Sequence, residues 1–298
     1  MTNRDTFSSL HPVVSFLFFA LVLVFTMFLM HPVSLIVSFV CAAAYHLYLN
    51  GKKALRLQLG FLLPMMLMAA LINPAFNHEG ATLLSYLPSG NPLTLESIFY
   101  GLAAAVMLAA VVIWFSCYTA VMTSDKFVYL FGRLIPALSL VLSMTLRFVP
   151  KFRAQLRVVS EAQKCVGRDI SEGTVFQRMR NAVTVLSILL TWSMENAIET
   201  ADSMRSRGYG LPGRTAFSIY RFDARDRTAL FWLGFCGLYL LCGWAAGALD
   251  FRYYPTAKGA VMTPLTVSFQ LAYGALCVTP VIFNIMEDRK WEQLRSEI

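Results

Sequence analysis

The segment ADSMRSRGYG, residues 201 to 210, gathers two arginines, two glycines and a tyrosine at what reads as the end of a helix. A helix C-terminus carries partial negative charge, and a cation in its last turn answers that charge. This alone accounts for an arginine at 205 or 207. Arg207, however, stands between Ser206 and Gly208, so its guanidinium can enter a tight groove without bulky neighbours meeting the walls. The planar fork binds a carboxylate through two parallel hydrogen bonds and does not lose its charge. The chemistry indicated is docking of Arg207, with Arg205 beside it, into an acidic groove of another protein.

Other chemistries find little support. No H-E-x-x-H, G-x-S-x-G or histidine cluster occurs, so a membrane-embedded enzyme has no acid, base and nucleophile set. There is no P-loop of the form G-x-x-x-x-G-K-[ST], so any ATP must be hydrolysed by a partner. The six cysteines include no C-x-x-C pair, and no histidine lies at metal-ligand spacing, which predicts neither disulfides nor a metal site. They read as small packing residues, and His11, His31, His46 and His78 as loop or interface residues. No cofactor is expected.

The elements that position Arg207 belong to a membrane protein. Of 298 residues, 57% are hydrophobic and 14% charged, and the mean hydropathy is +0.59. Segments 13–30, 59–76, 98–122, 228–249 and 264–285 meet or nearly meet the roughly 20 apolar residues a span needs, and 33–49 makes a shorter sixth. The run 13–30 is too long for a signal-peptide core, lacks a cleavage pattern and reads as a retained span. None of the six has Asp, Glu, Lys or Arg in its interior, which weighs against an ion-gradient-driven secondary transporter. The net charge of +8 falls to the positive-inside bias before nucleic-acid binding. Lys52, Lys53 and Arg56 mark one loop as cytoplasmic, and the loop from 77 to 97 has Glu79 and Glu96 but no cation. The expectation is a multi-pass membrane protein with both termini in the cytoplasm.

Between the fourth and fifth spans lies a densely basic region. Residues 126–150 read as an interfacial or re-entrant helix, interrupted by Arg133, Pro136 and Arg147. A helix is expected to start at Pro150 and stop at Gly167, with Arg153, Arg157, Glu161, Lys164 and Arg168 as its charged stripe. Thr174 and Gln177 form the pattern of a capping box, which starts a second helix near Val175; Gly208 would stop it. On this helix Val183, Leu186, Leu190, Met194 and Ile198 recur at three- and four-residue steps and share one face. The fold expected is an all-α integral membrane protein: about six transmembrane helices plus a cytoplasmic coupling region of long amphipathic helices. Its parts would be residues 1–123 with four spans, the coupling domain 124–227, and residues 228–298 with two spans and a tail.

AQKCVG (162 to 167) and MRSRGYG (204 to 210), preceded by LRFVPKF (146 to 152), resemble the coupling region of the transmembrane T component of energy-coupling-factor transporters, the vitamin and metal-ion importers of the ABC superfamily. The resemblance implies two coupling helices, each ending in an arginine between small residues that docks into one cytoplasmic ATPase subunit. It further implies a small membrane-embedded S component that captures the substrate and meets the face bearing Leu186, Leu190 and Met194. It places the chain in a prokaryotic plasma membrane, whose lipid completes the expected partners, with no nucleic acid. Ser206, Arg207 and Gly208 match the second motif. The first motif departs: Val166 stands between Cys165 and Gly167 where the family has arginine, with Lys164 and Arg168 the nearest cations. An unequal pair would suit two non-identical ATPase subunits or fused halves. A passive membrane scaffold stays open as well.

Overall fold

The computed structural model describes residues 5–51, 56, 58–77, 79–86, 92–132, 135–212, 220–259 and 263–296, and divides the chain into two compact units. One comprises residues 1–123 and 220–298; the other is 124–219.

Among the described residues the first unit holds six apolar helices: α1 (Pro12–Phe28), α2 (Pro32–Asn50), α3 (Leu63–Phe76), α4 (Leu95–Val121), α8 (Ala224–Ala245) and α9 (Pro264–Ser296). By length and composition α2, α4, α8 and the Pro264–Met286 part of α9 can cross a membrane; Pro12–Phe28 and Gly60–Phe76 are shorter apolar helices. At 1.5 Å per residue, a 17-residue helix such as α1 covers about 25 Å, the lower end of what a bilayer requires. Large apolar side chains face outward over much of this unit, among them Phe28, Leu67, Leu71, Phe231, Phe235 and Leu271. That is the arrangement of a protein whose solvent is hydrocarbon, where every backbone bond is satisfied within a helix. Two minimal hairpins, β1 (Leu83–Tyr86) with β2 (Pro92–Thr94) and β3 (Phe251–Arg252) with β4 (Lys258–Gly259), are the strands among the described residues.

The interior is an aromatic cluster of Phe7, Phe18, Phe19, Tyr45 and Trp114, with Phe7 and Phe18 edge to face at 5.1 Å and Phe18 and Trp114 at 5.8 Å. A polar chain runs through it. Trp114 donates its indole N–H to Ser38 Oγ (3.0 Å), and Thr26 donates to Val22 O (2.7 Å). Thr26 has one proton, so Ser38 (2.9 Å) and Tyr273 (2.8 Å) donate to its oxygen. Four helices, α1, α2, α4 and α9, are thereby joined at one point. At another, Asp226 accepts from the His11 N–H (3.0 Å) and the Asp223 N–H (3.1 Å), so one carboxylate serves the N-termini of both α1 and α8. Asp5 accepts from Asn284 of α9 (2.7 Å), whose own carbonyl accepts from the Phe7 N–H (3.1 Å).

Several boundaries depart from expectation. Helix α8 starts at Ala224, four residues ahead of the apolar segment 228–249, where Asp223 and Asp226 form a capping box. Helix α9 runs on through the tail to Ser296. His46 is no loop residue: it is buried within α2 and hydrogen-bonded to Ser116 (3.0 Å). His11 and His31 are N-caps, each accepting from the N–H two residues on, and His78 lies outside the described residues. The cysteines divide: Cys117, Cys236 and Cys277 pack in the core, Cys41 is half-buried, and Cys165 and Cys242 are exposed.

The second unit contains α5 (Ser124–Gly132), α6 (Pro136–Cys165) and α7 (Val175–Ser206). The expected helix start at Pro150 is wrong. The 30-residue α6 begins at Pro136, in the first turn where a missing N–H costs nothing, and runs through Pro150. The segment 126–150 is accordingly split between α5 and α6, with Arg133 outside the described residues. The expected cap of α7 is present: Thr174 Oγ1 accepts from the Gln177 N–H (3.4 Å), and Gln177 Oε1 accepts from the Thr174 N–H (3.2 Å). Thr174→Ala should cost about 1 kcal/mol of local stability. Faster hydrogen exchange at the Gln177 amide, with the middle of α7 unchanged, is the readout.

Candidate functional site

Helices α6 and α7 run antiparallel. Val159 of α6 packs on Val185 and Leu189 of α7, Phe152 meets Trp192 edge to face at 5.5 Å, and the Lys151 ammonium lies 5.3 Å from the Trp192 ring. Burying Val185 and Leu189 turns another stripe of α7 outward. Val183, Leu186, Leu190, Met194 and Ile198 are each more than half exposed. The stripe continues at the same spacing to Phe176 and Met179, which the sequence reading passed over although their spacing announced them.

Both helices end in the same way. Beyond α6, the Gly167 N–H bonds to Lys164 O (2.9 Å) and the Arg168 N–H to Gln163 O (2.9 Å). Beyond α7, the Gly208 N–H bonds to Arg205 O (3.0 Å) and the Tyr209 N–H to Met204 O (3.0 Å). These are two Schellman caps, made possible by left-handed glycines at φ +78° and +79°. The residue before each glycine, Val166 in one and Arg207 in the other, has nearly identical backbone angles: φ −87°, ψ 6° and φ −87°, ψ 10°. Cys165-Val166-Gly167 and Ser206-Arg207-Gly208 are thus superposable ends carrying different side chains.

Their surroundings differ too. Arg205, Ser206 and Arg207 are exposed; Ser206 Oγ bonds inward to Ser203 O (2.9 Å). A groove of about 410 Å³ flanks Arg207, walled by Leu140, Met204, Tyr209, Leu211 and Pro212. At the other end Cys165, Val166 and Arg168 are exposed, and Lys164 is drawn back into an ion pair with Asp169 at 3.0 Å. Asp169 was not singled out by sequence, although Asp-x-Ser is a turn signature in which the carboxylate bonds the backbone two residues on. Its Oδ1 accepts from the Ser171 N–H (2.9 Å) and hydroxyl (2.8 Å). Its carbonyl accepts from Asn181 (2.9 Å), and Arg178 donates to Ile170 O (3.0 Å). A second groove, of about 440 Å³, lies here, lined by Lys164, Asp169, Glu172, Gln177 and Asn181. Among the described residues no three His, Cys, Asp or Glu side chains converge as a metal site.

The hydrogen bonds from Ser171, and then Lys164, hold the Asp169 carboxyl at about 2, below its ordinary 3.8; the same pairing raises Lys164. A depressed carboxylate stabilises the fold above its unfolded value and ceases to do so as pH falls through the folded one. The loop between α6 and α7 should therefore loosen between about pH 4 and pH 2. Pepsin cleavage within residues 166–174, normalised to Asp169→Asn at each pH, should rise to the variant's level across that window; a ratio independent of pH would refute the pairing.

Comparison with known proteins places this geometry in a family. A family model described as cobalt transport protein, CbiQ, matches residues 4–217, well over half of the chain. The chain is 37% identical over 110 residues to the energy-coupling factor transporter transmembrane protein EcfT of Lacticaseibacillus paracasei, covering 37% of this chain and 40% of that one. It is 32% identical over 111 residues to EcfT of Streptococcus equi subsp. equi (36% and 41%) and 36% identical over 93 residues to EcfT 1 of Listeria monocytogenes (31% and 35%). These matches span about two fifths of each relative's length. With apolar helices in one unit, a capped helical hairpin in the other, and a family match running through both, the chain belongs to the CbiQ family of membrane proteins.

Proposed function

We propose that this chain is the transmembrane T component of an energy-coupling-factor importer, linking ATP hydrolysis by cytoplasmic ATPases to substrate release from a membrane-embedded S component. The observation that carries the reading is the α6–α7 hairpin: two helices close in equivalent caps, one presenting an exposed Arg207, while the apolar stripe of α7 is left uncovered. Arg207, flanked by Ser206 and Gly208, docks one ATPase; the end formed by Lys164, Cys165, Val166, Gly167 and Arg168 docks the other. The partners are two ABC-type ATPase subunits or one fused ATPase, and the substrate is a vitamin or metal ion. Both termini lie in the cytoplasm. When the ATPases close on ATP, the seated ends move with them, and the Leu186, Leu190 and Met194 stripe passes the motion to the S component. The subunit performs no chemistry itself, in keeping with a sequence that has no phosphate-binding loop.

The test is recovery of the intact protein from its own membranes by a tag on the C-terminal tail, with co-purifying chains identified by mass spectrometry. ABC-type ATPases together with a small hydrophobic membrane protein are expected. Recovery of the chain alone, or with partners that bind no ATP, would overturn the proposal.

A further inference from the structure

We infer that the β1–β2 hairpin is a lipid-binding anchor: it lies along the headgroup boundary of one leaflet, with Leu83, Leu84 and Tyr86 against lipid and Phe76 and Phe99 beside them. The inference starts from the membrane character of the first unit and is independent of the T-component reading.

Around this hairpin the bundle is apolar outside and polar inside. All four residues of β1 are exposed, so neither face of the ribbon is covered. Leu83 and Leu84 are more than half exposed, Tyr86 is 66% exposed, and Phe76, the last residue of α3, is 81% exposed. The polar groups turn the other way. Glu96 is only 4% exposed and accepts from the Thr82 N–H (3.3 Å) and hydroxyl (2.7 Å), while the Thr94 hydroxyl donates to Glu79 O (2.9 Å). Asn73 donates to Ser97 O (2.9 Å), and both Asn73 (3.3 Å) and Asn77 (3.2 Å) donate to the Tyr254 hydroxyl. The Ala81 N–H bonds to Pro255 O (3.0 Å), which ties the hairpin to the connection between α8 and α9. A ribbon standing in water would be built in reverse, with its leucines covered and its carboxylate solvated.

What covers the patch follows from what it adjoins. Met68, Ile72 and Phe76 stand at four-residue steps on α3, and Leu95, Phe99 and Leu102 at four- and three-residue steps on α4, all with outward-facing side chains. The patch is thus the margin of a surface that already faces hydrocarbon. Helix α3 packs mainly against α4, close enough at Gly101 that a Cβ there would lie 2.8 Å from Ala70 O, and the rest of α3 is left to lipid. The depth is fixed by the backbone. Among the described residues neither strand pairs with a third, so each leaves an edge of N–H and C=O groups open. Such an edge is excluded from the hydrocarbon core but is satisfied at its boundary, where headgroups and water reach it and tyrosine is enriched.

The test uses the full-length protein, with whatever chains co-purify, in nanodiscs of phosphatidylethanolamine and phosphatidylglycerol. The discs are doped with a photoactivatable phosphatidylcholine whose diazirine sits either just beneath the headgroup or at the end of an acyl chain, and adducts are mapped by mass spectrometry. The probe beneath the headgroup should label residues 83–86 several-fold more than the chain-end probe does. Residues 67–72 of α3 should take the chain-end label. A hairpin unlabelled by either probe while α3 is labelled would overturn the inference, because water or a protein then covers the ribbon. Labelling of the hairpin by the chain-end probe as strong as by the other would overturn its placement at the boundary. An unlabelled α3 would remove the lipid-facing surface that the hairpin continues, and the inference with it. None of these outcomes touches the T-component reading.

Discussion

Replacing Arg207 with glutamate is expected to detach one ATPase while the protein remains inserted and folded. Truncating one partner of a hydrogen-bonded interfacial charge pair typically costs about 2–5 kcal/mol, or roughly thirtyfold to several-thousandfold in affinity. Reversal would add repulsion against the carboxylate proposed to receive Arg207. The protein's own fold has little at stake: the side chain is exposed, and the Schellman bonds at Gly208 and Tyr209 use backbone atoms alone. Arg207→Lys should fall in between, since it retains the charge but gives up the planar fork. The readouts are ATPase stoichiometry after purification and substrate uptake in cells. Full retention of both ATPases together with wild-type uptake would remove Arg207 from the docking surface.

The second large effect lies in the other unit. Trp114→Ala should destabilise the membrane-spanning core by about 3–5 kcal/mol. Trp114 is fully buried, is in ring contact with Phe18, Phe19 and Tyr45, and supplies the N–H that Ser38 accepts. Trp114→Phe keeps much of the packing and loses the donor, a loss of about 1–3 kcal/mol for the unsatisfied partner. Unfolding in a graded detergent series, followed by near-ultraviolet circular dichroism, should rank wild type first, phenylalanine next and alanine last. Equal midpoints would mean that the cluster is not where the stability of this unit resides.

What could be read from the sequence was local. The Thr174 and Gln177 cap and the glycine stops at 167 and 208 were legible because each is decided by residues within one turn of the helix end. The stripe of Leu186, Leu190 and Met194 was legible from its period, and its exposure follows from the burial of Val185 and Leu189 beside it. Pro150 misled because proline's cost is one lost bond, which a 30-residue helix absorbs. The Lys164 and Asp169 pair was hidden by its position: five residues apart across a glycine turn, it obeys no helical spacing. The equivalence of Val166 and Arg207 needed backbone angles; sequence showed a mismatch to a motif, whereas the structure shows two superposable positions with different chemistry. His46 and Trp114 depended on neighbours 70 and 76 residues away, which no local pattern supplies.

The bonds that join α9 to the start of the chain also set an order of events during synthesis. Thr26 meets Tyr273 across 247 residues, and Asp5 meets Asn284 across 279. At about 5–20 residues per second, the ribosome needs roughly 10–60 s to produce the second partner after the first, whereas helices form in microseconds. Helices α1 and α2 therefore wait in the bilayer long after they are formed, and the N-terminal half draws support from α9, which is made well after it. A premature stop ahead of α9 removes partners from α1 as surely as a lesion within α1 itself.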